Sequence, residues 1–358
     1  MTNALPNTPK QHTIISPHNT IYRIGPNDRS SIPYQNHTIS KVSFPFRLIG
    51  DLIRYKRKIS KLENIDYDLL HVHFHLLEQN LLRFDRWLKR PFFTKLINFT
   101  NIKKPKIATV HGLSTLHNMP KIDMIIKWYE NNVISQFDNI ICVDKNIYNY
   151  ILKLNQNAGN KVWFVPNAVD TDLFSFSQLI TNDRLKIGFV GRLELSRGLP
   201  LLSQFIENLP QYVELTVVGA GNQIAINKFR AHNKINQVKF IQNVPNNKMP
   251  EMYKSFDILF NPVSIEGISR ATLEAMSCGR PVMMIEKGDR YPVIDRKTGF
   301  LIQDDIQDLL KVLDEIHVSK DQLIEMSKTA RAVIDAEYNS TVVLKKVSDI
   351  YNELILSS

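Results

Sequence analysis

The sequence predicts an α/β protein made of two similar halves, and three observations support this fold class. At 358 residues, the chain is longer than a single hydrophobic core usually supports. In the second half, short runs rich in Val, Ile, Leu and Phe alternate with segments of helical periodicity. The first half shows the same alternation less regularly. Because strands separated by helices form parallel sheets covered on both faces, we expect two such domains facing each other across a cleft.

The predicted organisation has three segments: a first domain at residues 1–182, a second at 183–337, and a closing helix at 338–358. The first domain has strands at Leu69–His73, Ile107–Val110, Ile140–Val143 and Val162–Val165. The second has strands at Leu185–Val190, Val213–Val218, Val238–Ile241, Ile258–Asn261, Val282–Ile285 and Gly299–Ile302. The helices that we predict from Leu185 onward are Leu199–Glu207, Ile224–His232, Pro250–Ser255, one following Glu266, Ile306–Val318, Asp321–Glu337 and Ser340–Leu356.

Composition points to a globular protein of the cytoplasm. Hydrophobic residues make up 43% of the chain, and no apolar run approaches the length that spans a bilayer, about 18 residues. The polar first residues do not resemble a signal peptide. The two cysteines, Cys142 and Cys278, are too few and too far apart for a disulfide framework, so we expect free thiols in a reducing compartment.

The whole net charge of +10 lies in residues 1–182, which hold 23 Lys and Arg against 13 Asp and Glu. The segments 44–61 and 81–106 concentrate it, and the second interleaves basic with large aromatic side chains. This combination suits the headgroup layer of an anionic membrane, and a peripheral location at the inner face follows. The alternative is a solvated helix face with its apolar side in the core. No recognised nucleic-acid-binding module accompanies the charge, so we expect no nucleic acid partner.

Two glutamates mark the most informative stretch, Glu266-Gly-Ile-Ser-Arg-Ala-Thr-Leu-Glu274. It follows a buried apolar run, and its spacing predicts a helix that begins directly after Glu266. The N–H groups of Gly267, Ile268 and Ser269 would then lie at the helix start without intrahelical partners. Such a site attracts a phosphate while the two carboxylates accept hydrogen bonds from hydroxyl groups. A nucleotide sugar has both features.

Further residues are expected on the same rim as this helix start. Arg192, Gly219, Val244 and Glu266 each lie just past a predicted strand, and ligands of parallel sheets bind beyond the carboxyl ends of the strands. Guanidinium groups form bidentate bonds to phosphate, which suits Arg192 and the nearby Arg197. A glycine at position 219 allows close backbone approach.

The motifs together resemble glycosyltransferase family 4, whose members have the GT-B fold of two Rossmann-like domains and a retaining mechanism. The glutamate stretch resembles the hallmark of the family. Four other segments resemble its motifs and fall in the same order along the chain: Val165-Pro-Asn-Ala-Val-Asp170, Ile187-Gly-Phe-Val-Gly-Arg-Leu-Glu-Leu-Ser-Arg-Gly198, Val217-Val-Gly-Ala-Gly221 and Lys297-Thr-Gly-Phe-Leu301.

The resemblance implies roles for individual residues. Arg192 and Arg197 would bind the donor diphosphate and stabilise it as a leaving group, and Val244 would lie where the backbone grips the base. Glu274 would accept the ribose hydroxyls, whereas Glu266 would hold the transferred sugar. His111, in Thr109-Val-His-Gly112, would touch that sugar from the first domain. The closing helix would return to the first domain, and no metal or other cofactor is implied.

Each of these roles has a structural alternative. The arginines are common surface charges, and a lone histidine is more often structural than catalytic. Glu274 would otherwise be a helix carboxylate paired with a cation such as Arg280. Glu266 would simply complement the dipole of the helix start.

The first 40 residues contain one glycine, Gly25, and lack the Gly-Gly loop with which the family usually approaches the donor diphosphate. The first domain therefore either lacks its opening βα unit or has a divergent one. The expected function is retaining transfer of a hexose from a nucleoside diphosphate sugar to a hydroxyl group of a lipid-linked or cell-envelope glycan. The alternative is a donor-binding but catalytically inactive partner subunit or truncated homologue.

Overall fold

The computed structural model of the protein describes residues 12–15, 21–25, 28–32, 69–74, 103–111, 134–154, 161–180, 183–219, 237–264 and 267–356. The chain divides into two compact units. The first combines Met1–Pro166 with Lys345–Ser358, and the second is Asn167–Leu344.

The first unit contains a sheet in the order β3-β2-β1-β4-β5-β6-β7. The strands β1, β4, β5, β6 and β7 run parallel, whereas β1–β2 and β2–β3 are antiparallel pairs that we did not predict. The missing opening βα unit stays an expectation, because most of the first 68 residues lie outside the described ranges. The strands are β1 (His12–Ile15), β2 (Ile21–Gly25), β3 (Asp28–Ile32), β4 (Leu69–Phe74), β5 (Lys106–Val110), β6 (Asn139–Cys142) and β7 (Lys161–Phe164).

Two helices of the first unit fall within the part of the chain that the structure describes. Helix α1 (Lys145–Leu154) buries Ile147 and Ile151 against the strand residues Val110 and Ile140. In the closing helix α7 (Ser340–Leu356), the ring of Tyr351 makes an edge contact with His71 of β4. Cys142 is buried and free in this core, and burial raises the pKa of its thiol far above the ordinary value.

The second unit contains a parallel sheet in the order β10-β9-β8-β11-β12-β13, as the alternation of strands and helices predicts. Alternate residues of each strand enter two separate cores, one on each face. Leu259, for example, packs on the opposite face from its neighbours Ile258 and Phe260. The strands are β8 (Leu185–Val190), β9 (Val213–Val218), β10 (Val238–Ile241), β11 (Ile258–Asn261), β12 (Val282–Ile285) and β13 (Gly299–Ile302).

The helices of this unit follow the predicted pattern. The helix predicted at Pro250–Ser255 is shifted by one residue, and two others differ more in their bounds. One helix begins later than expected, at Arg270, and the one predicted at Asp321–Glu337 ends as an α-helix at Val333 and widens into a π-helical turn at Ile334–Tyr338. That turn buries both Ile334 and Tyr338. The expected helix at Ile224–His232 lies outside the described residues. The α-helices are α2 (Leu199–Glu207), α3 (Met249–Lys254), α4 (Arg270–Ser277), α5 (Ile306–Val318) and α6 (Asp321–Val333).

Residues 167–184, which we predict to link the two domains, belong to the second unit, and residues 167–180 of this link are bonded to it. Two arginines of the second unit bind its carbonyl groups. Arg280 Nη1 donates to Ser177 O at 2.8 Å, and Arg331 Nη1 donates to Phe174 O at 3.0 Å. The Phe174 carbonyl also accepts a bond of 2.6 Å from Ser277 Oγ. The division into domains at 182 and 337 itself stays a prediction.

No helix in the described part of the chain is long and apolar enough to cross a membrane.

Candidate functional site

The loops at the carboxyl ends of four neighbouring strands share one rim of the second sheet. Val244 follows β10, Gly219 follows β9, Arg192 follows β8, and residues 262–269 follow β11. The strand order β10-β9-β8-β11 places these loops side by side in that sequence. The structure therefore brings together the residues that we predicted on this rim and that lie within the described ranges.

Two glycines let these loops approach one another closely. A Cβ atom on Gly219 would lie 1.8 Å from the carbonyl oxygen of Gly191, the residue before Arg192. A Cβ atom on Gly198, the residue after Arg197, would lie 1.8 Å from the carbonyl oxygen of Pro262. Gly198 also has a φ of 77°, which other residues rarely adopt. The arginine turn after β8 is thus in backbone contact with the turns after β9 and β11.

Helix α4 begins three residues later than we predicted. Gly267 has a φ of 105°, and Ser269 is the extended N-cap residue whose Oγ accepts the N–H of Thr272 at 3.2 Å. Gly267, Ile268 and Ser269 therefore belong to the loop, and the N–H groups that lie at the start of the helix are those of Arg270 and Ala271. Glu266 lies outside the described residues, although the residues on both sides of its short gap are placed.

Asn261, the last residue of β11, fixes the start of α4. Its buried Nδ2 donates to Ser269 Oγ at 3.1 Å and to Thr272 Oγ1 at 2.9 Å. We did not predict this role. Its sequence signal is a polar residue at the end of an otherwise apolar strand, where a buried side chain needs hydrogen-bond partners.

Glu274 is a buried carboxylate in the second turn of α4, with 8% of its surface exposed. Its Oε2 accepts a bond of 2.8 Å from the hydroxyl of fully buried Tyr253, and its Oε1 lies 3.4 Å from Nη2 of exposed Arg270. The structural alternative, a helix carboxylate paired with a cation, therefore finds Arg270 as its partner, whereas the Arg280 guanidinium donates to backbone carbonyls. Burial raises the pKa of Glu274, while Tyr253 and Arg270 oppose this shift.

Arg192 and Arg197 are two like charges in the turn after β8, whose Gly198 contacts Pro262 of the turn after β11. Arg192 is exposed and forms an ion pair with Glu194, with 3.1 Å between Nη1 and Oε1. The pKa of Arg197 is lowered, chiefly by burial and then by the charge of Arg192, although Glu194 acts in the opposite direction. An anion bound near both guanidinium groups would relieve this repulsion.

Val244 lies in the loop after β10, partly buried against the core of the second unit. The preceding residue, Asn243, has a φ of 56°, in the left-handed region that asparagine tolerates better than most residues. This turn directs the backbone of residues 242–245 along the rim. Such a position suits contact with a ligand through backbone groups.

His111 belongs to the first unit, where it directly follows β5. Thr109, two residues earlier on that strand, forms a bond of 2.6 Å between its Oγ1 and Nε2 of His71. His71 Nδ1 in turn is hydrogen-bonded to the hydroxyl of Tyr351 in α7. We did not predict this buried network, since its three members are distant in sequence. It ties the closing helix to the strand that carries His111.

Within the described residues, no group of three or more His, Cys, Asp and Glu side chains is arranged to hold a metal ion.

Two models of protein families match the chain. The model described as Glycosyltransferase Family 4 matches residues 18–173, and the model described as Glycosyl transferases group 1 matches residues 184–317. The chain belongs to the family 4 glycosyltransferases of group 1. The two matches fall largely within the first and second units respectively.

Relatives of this glycosyltransferase are distant in sequence. UDP-Gal:alpha-D-GlcNAc-diphosphoundecaprenol alpha-1,3-galactosyltransferase of Escherichia coli is 26% identical over 275 residues, which cover 70% of each protein. The D-inositol 3-phosphate glycosyltransferase of Xylanimonas cellulosilytica is 24% identical, with 66% of this chain covered. That match spans only 60% of the length of the relative.

Solved structures show that the fold is GT-B. Sucrose-phosphate synthase from Thermosynechococcus elongatus superposes with a TM-score of 0.71 at 18% identity, covering 93% of this chain and 87% of that protein. The HepE protein of Anabaena, solved in complex with UDP, gives a TM-score of 0.64 at 14% identity, with 84% and 82% covered.

The raised pKa of Glu274 predicts how its charge affects stability. The folded protein holds this proton more tightly than the unfolded chain does. Its contribution to stability is therefore complete below the ordinary pKa of 4.5 and is lost as the pH rises through the raised value. We expect the melting temperature of Glu274→Gln, which cannot ionise, to rise relative to that of the wild type as the pH increases above 4.5.

Calorimetric melting of both proteins across this range would check the prediction. Glu251→Gln is the control, because Glu251 is an exposed carboxylate in the same unit, and its difference from wild type should vary much less with pH. A Glu274→Gln variant that loses stability relative to wild type as the pH rises would show that the ionised carboxylate stabilises the fold.

Proposed function

We propose that the protein transfers a hexose from a nucleoside diphosphate sugar to an acceptor hydroxyl with retention at the anomeric carbon. The observation that carries this proposal is the buried carboxylate of Glu274 in the helix after β11, since the turn after β11 is in backbone contact with the turn that carries Arg192 and Arg197. A carboxylate that remains buried at a cost to stability, beside cationic groups that repel each other, suits a ligand with both hydroxyls and a diphosphate.

Glu274 would accept hydrogen bonds from the ribose hydroxyls of the donor. Tyr253 engages Oε2 of this carboxylate, and the bond from Arg270 to Oε1 is long at 3.4 Å. Oxygen lone pairs therefore remain for a ligand, since a carboxylate can accept about four hydrogen bonds. The base would extend along the rim toward the backbone at Val244, and Gly219 would allow the ligand close to the turn after β9.

The diphosphate would lie among Arg192, Arg197 and the start of α4. The N–H groups of Arg270 and Ala271 lie there, next to the loop residues Gly267, Ile268 and Ser269. In the reaction, the bond between the anomeric carbon and the diphosphate oxygen breaks. The acceptor oxygen bonds to the same face of that carbon, and its proton passes to the departing phosphate. The cationic groups stabilise the charge that develops on this leaving group.

Glu266 would hold the hydroxyls of the transferred sugar, since it precedes the start of α4 in the loop after β11. We include His111 as a contact of the donor sugar from the first unit. Its support is its position at the carboxyl end of β5. Neither side chain contacts the nucleotide in this proposal. Substituting either one would therefore weaken binding of the sugar rather than binding of the base.

Arg197→Ala tests the donor site. We expect one of UDP-glucose, UDP-galactose and UDP-N-acetylglucosamine to raise the melting temperature of the wild type. Loss of a charge-assisted hydrogen bond in the variant should weaken binding about 10- to 100-fold, measured by titration calorimetry. Arg184→Ala is the matched control, because Arg184 is an exposed arginine paired with Glu214 just before the other end of β8.

If Arg197→Ala and Arg184→Ala bind the sugar nucleotide with equal affinity, the diphosphate does not bind at this rim. Slow release of UDP from the bound sugar nucleotide by the wild type would support catalysis. Proton NMR should first show the α-anomer of the freed sugar if configuration is retained. Binding without any release or transfer would instead indicate a donor-binding protein without transferase activity.

We propose that the acceptor is lipid-linked and that the protein binds the membrane surface. The Escherichia coli relative carries a diphosphoundecaprenol acceptor in its name, and the positive charge of this chain is concentrated in residues 1–182. The basic stretches 44–61 and 81–106 lie mostly outside the described residues. Anionic headgroups attract such segments, each Lys or Arg near the surface contributing about 1 kcal/mol.

Sedimentation with vesicles tests this location. The protein should bind vesicles that contain phosphatidylglycerol and should bind pure phosphatidylcholine vesicles much more weakly. Added salt should release it, because the attraction is screened within about 10 Å at 0.1 M ionic strength. Equal binding to both vesicle types, or binding to neither, would contradict the membrane proposal without affecting the donor site.

A further inference from the structure

Arg290 lies in the turn after β12, with 3% of its surface exposed. The turn is shaped by Asp289, whose Oδ1 accepts the backbone N–H of Tyr291 at 2.8 Å. A guanidinium group is charged at any physiological pH, so its burial is costly unless its N–H groups are satisfied. The protein buries the charged guanidinium of Arg290 in a turn next to the rim.

Within the described residues, three carbonyl groups accept hydrogen bonds from this guanidinium. Nε donates at 2.8 Å to the carbonyl of Ile285, the last residue of β12. Nη2 donates to Val263 O at 3.0 Å, and Nη1 donates to Gly267 O at 3.0 Å. Val263 is the last residue before the segment 264–266, and Gly267 is the first residue after it. One rigid group therefore holds both ends of the segment that carries Glu266.

We propose that Arg290 is a positioning residue that sets the loop of Glu266 for contact with the transferred sugar. This inference rests on the proposed function, because it assigns the loop a sugar rather than a nucleotide. Asn261 and the N-cap Ser269 fix the start of α4 independently. Loss of Arg290 should therefore loosen residues 263–267 and leave Glu274, inside the helix, in place.

Lysine cannot replace this arrangement. The guanidinium presents its donors in a flat, fixed fork, whereas an ammonium group is a compact charge on a flexible stem. The two outer carbonyls belong to backbone on opposite sides of Glu266, so a single ammonium that satisfies one of them leaves the other without its partner. Arg290→Lys therefore preserves the charge and removes the geometry.

Arg280 provides a matched control in the same unit. It is also buried, at 2% exposed, and it also donates to three carbonyls, those of Ser177 at 2.8 Å, Gly279 at 3.1 Å and Lys254 at 3.1 Å. These bonds hold the link and the end of α4, away from its N-cap. Arg280→Lys should have a comparable cost in stability without reaching the loop of Glu266.

The experiment compares the dissociation constants of UDP and of UDP-glucose, UDP-galactose and UDP-N-acetylglucosamine for the wild type, Arg290→Lys and Arg280→Lys. For the sugar nucleotide that wild type binds best, we compare its dissociation constant with that of UDP. We expect Arg290→Lys to raise this ratio about 10- to 100-fold, because hydrogen bonds between a charged group and the sugar hydroxyls would be lost. UDP alone should bind it within about threefold of wild type, a difference of less than about 1 kcal/mol. Arg280→Lys should keep the wild-type ratio.

Wild type that binds neither UDP nor a sugar nucleotide would overturn the proposed function and this inference with it. If wild type binds these ligands, the two variants decide the role of Arg290. The same ratio of dissociation constants in Arg290→Lys as in Arg280→Lys would overturn that role and leave the proposed function intact. Arg290→Gln, which keeps two donors on a neutral group, guards against a poorly folded lysine variant. If neither variant folds while Arg280→Lys does, Arg290 supports the core as a whole and the inference is wrong.

Discussion

Close backbone contact at the carboxyl edge of the second sheet is the constraint on which the site depends. Gly219 admits the carbonyl of Gly191, and Gly198 admits that of Pro262, with no room for a Cβ atom at either glycine. These contacts join the turns after β8, β9 and β11 into one surface. Arginines, glycines and the start of α4 are thereby brought to one rim by the backbone itself, before any side chain interacts.

Three of the ionisable groups that the second unit buries contact different parts of its structure. The Glu274 carboxylate is held by Tyr253, the Arg280 guanidinium holds the link, and the Arg290 guanidinium holds the loop of Glu266. Burial shifts the pKa of Glu274 upward and that of Arg280 downward, so both groups are charged at a cost. Such costs are common where binding needs a fixed charge.

The sequence predicts much of this arrangement because short apolar runs have few alternatives. All six strands of the second unit have the predicted bounds, and the rim follows from their ends. The start of α4 was placed too early because periodicity extended the helix into a loop, where Gly267 takes a left-handed conformation and Ser269 caps. Tyr253, Asn261 and Arg290 were missed because their partners are identified by contacts between residues distant in sequence.

The central claim is that this rim binds the donor nucleotide, and a crystal structure of the protein with UDP tests it most directly. We predict the ribose hydroxyls within hydrogen-bond distance of Glu274, about 2.6–3.2 Å, and the diphosphate beside Arg192, Arg197 and the start of α4. UDP bound elsewhere, with Glu274 still contacting only Tyr253 and Arg270, would contradict the account.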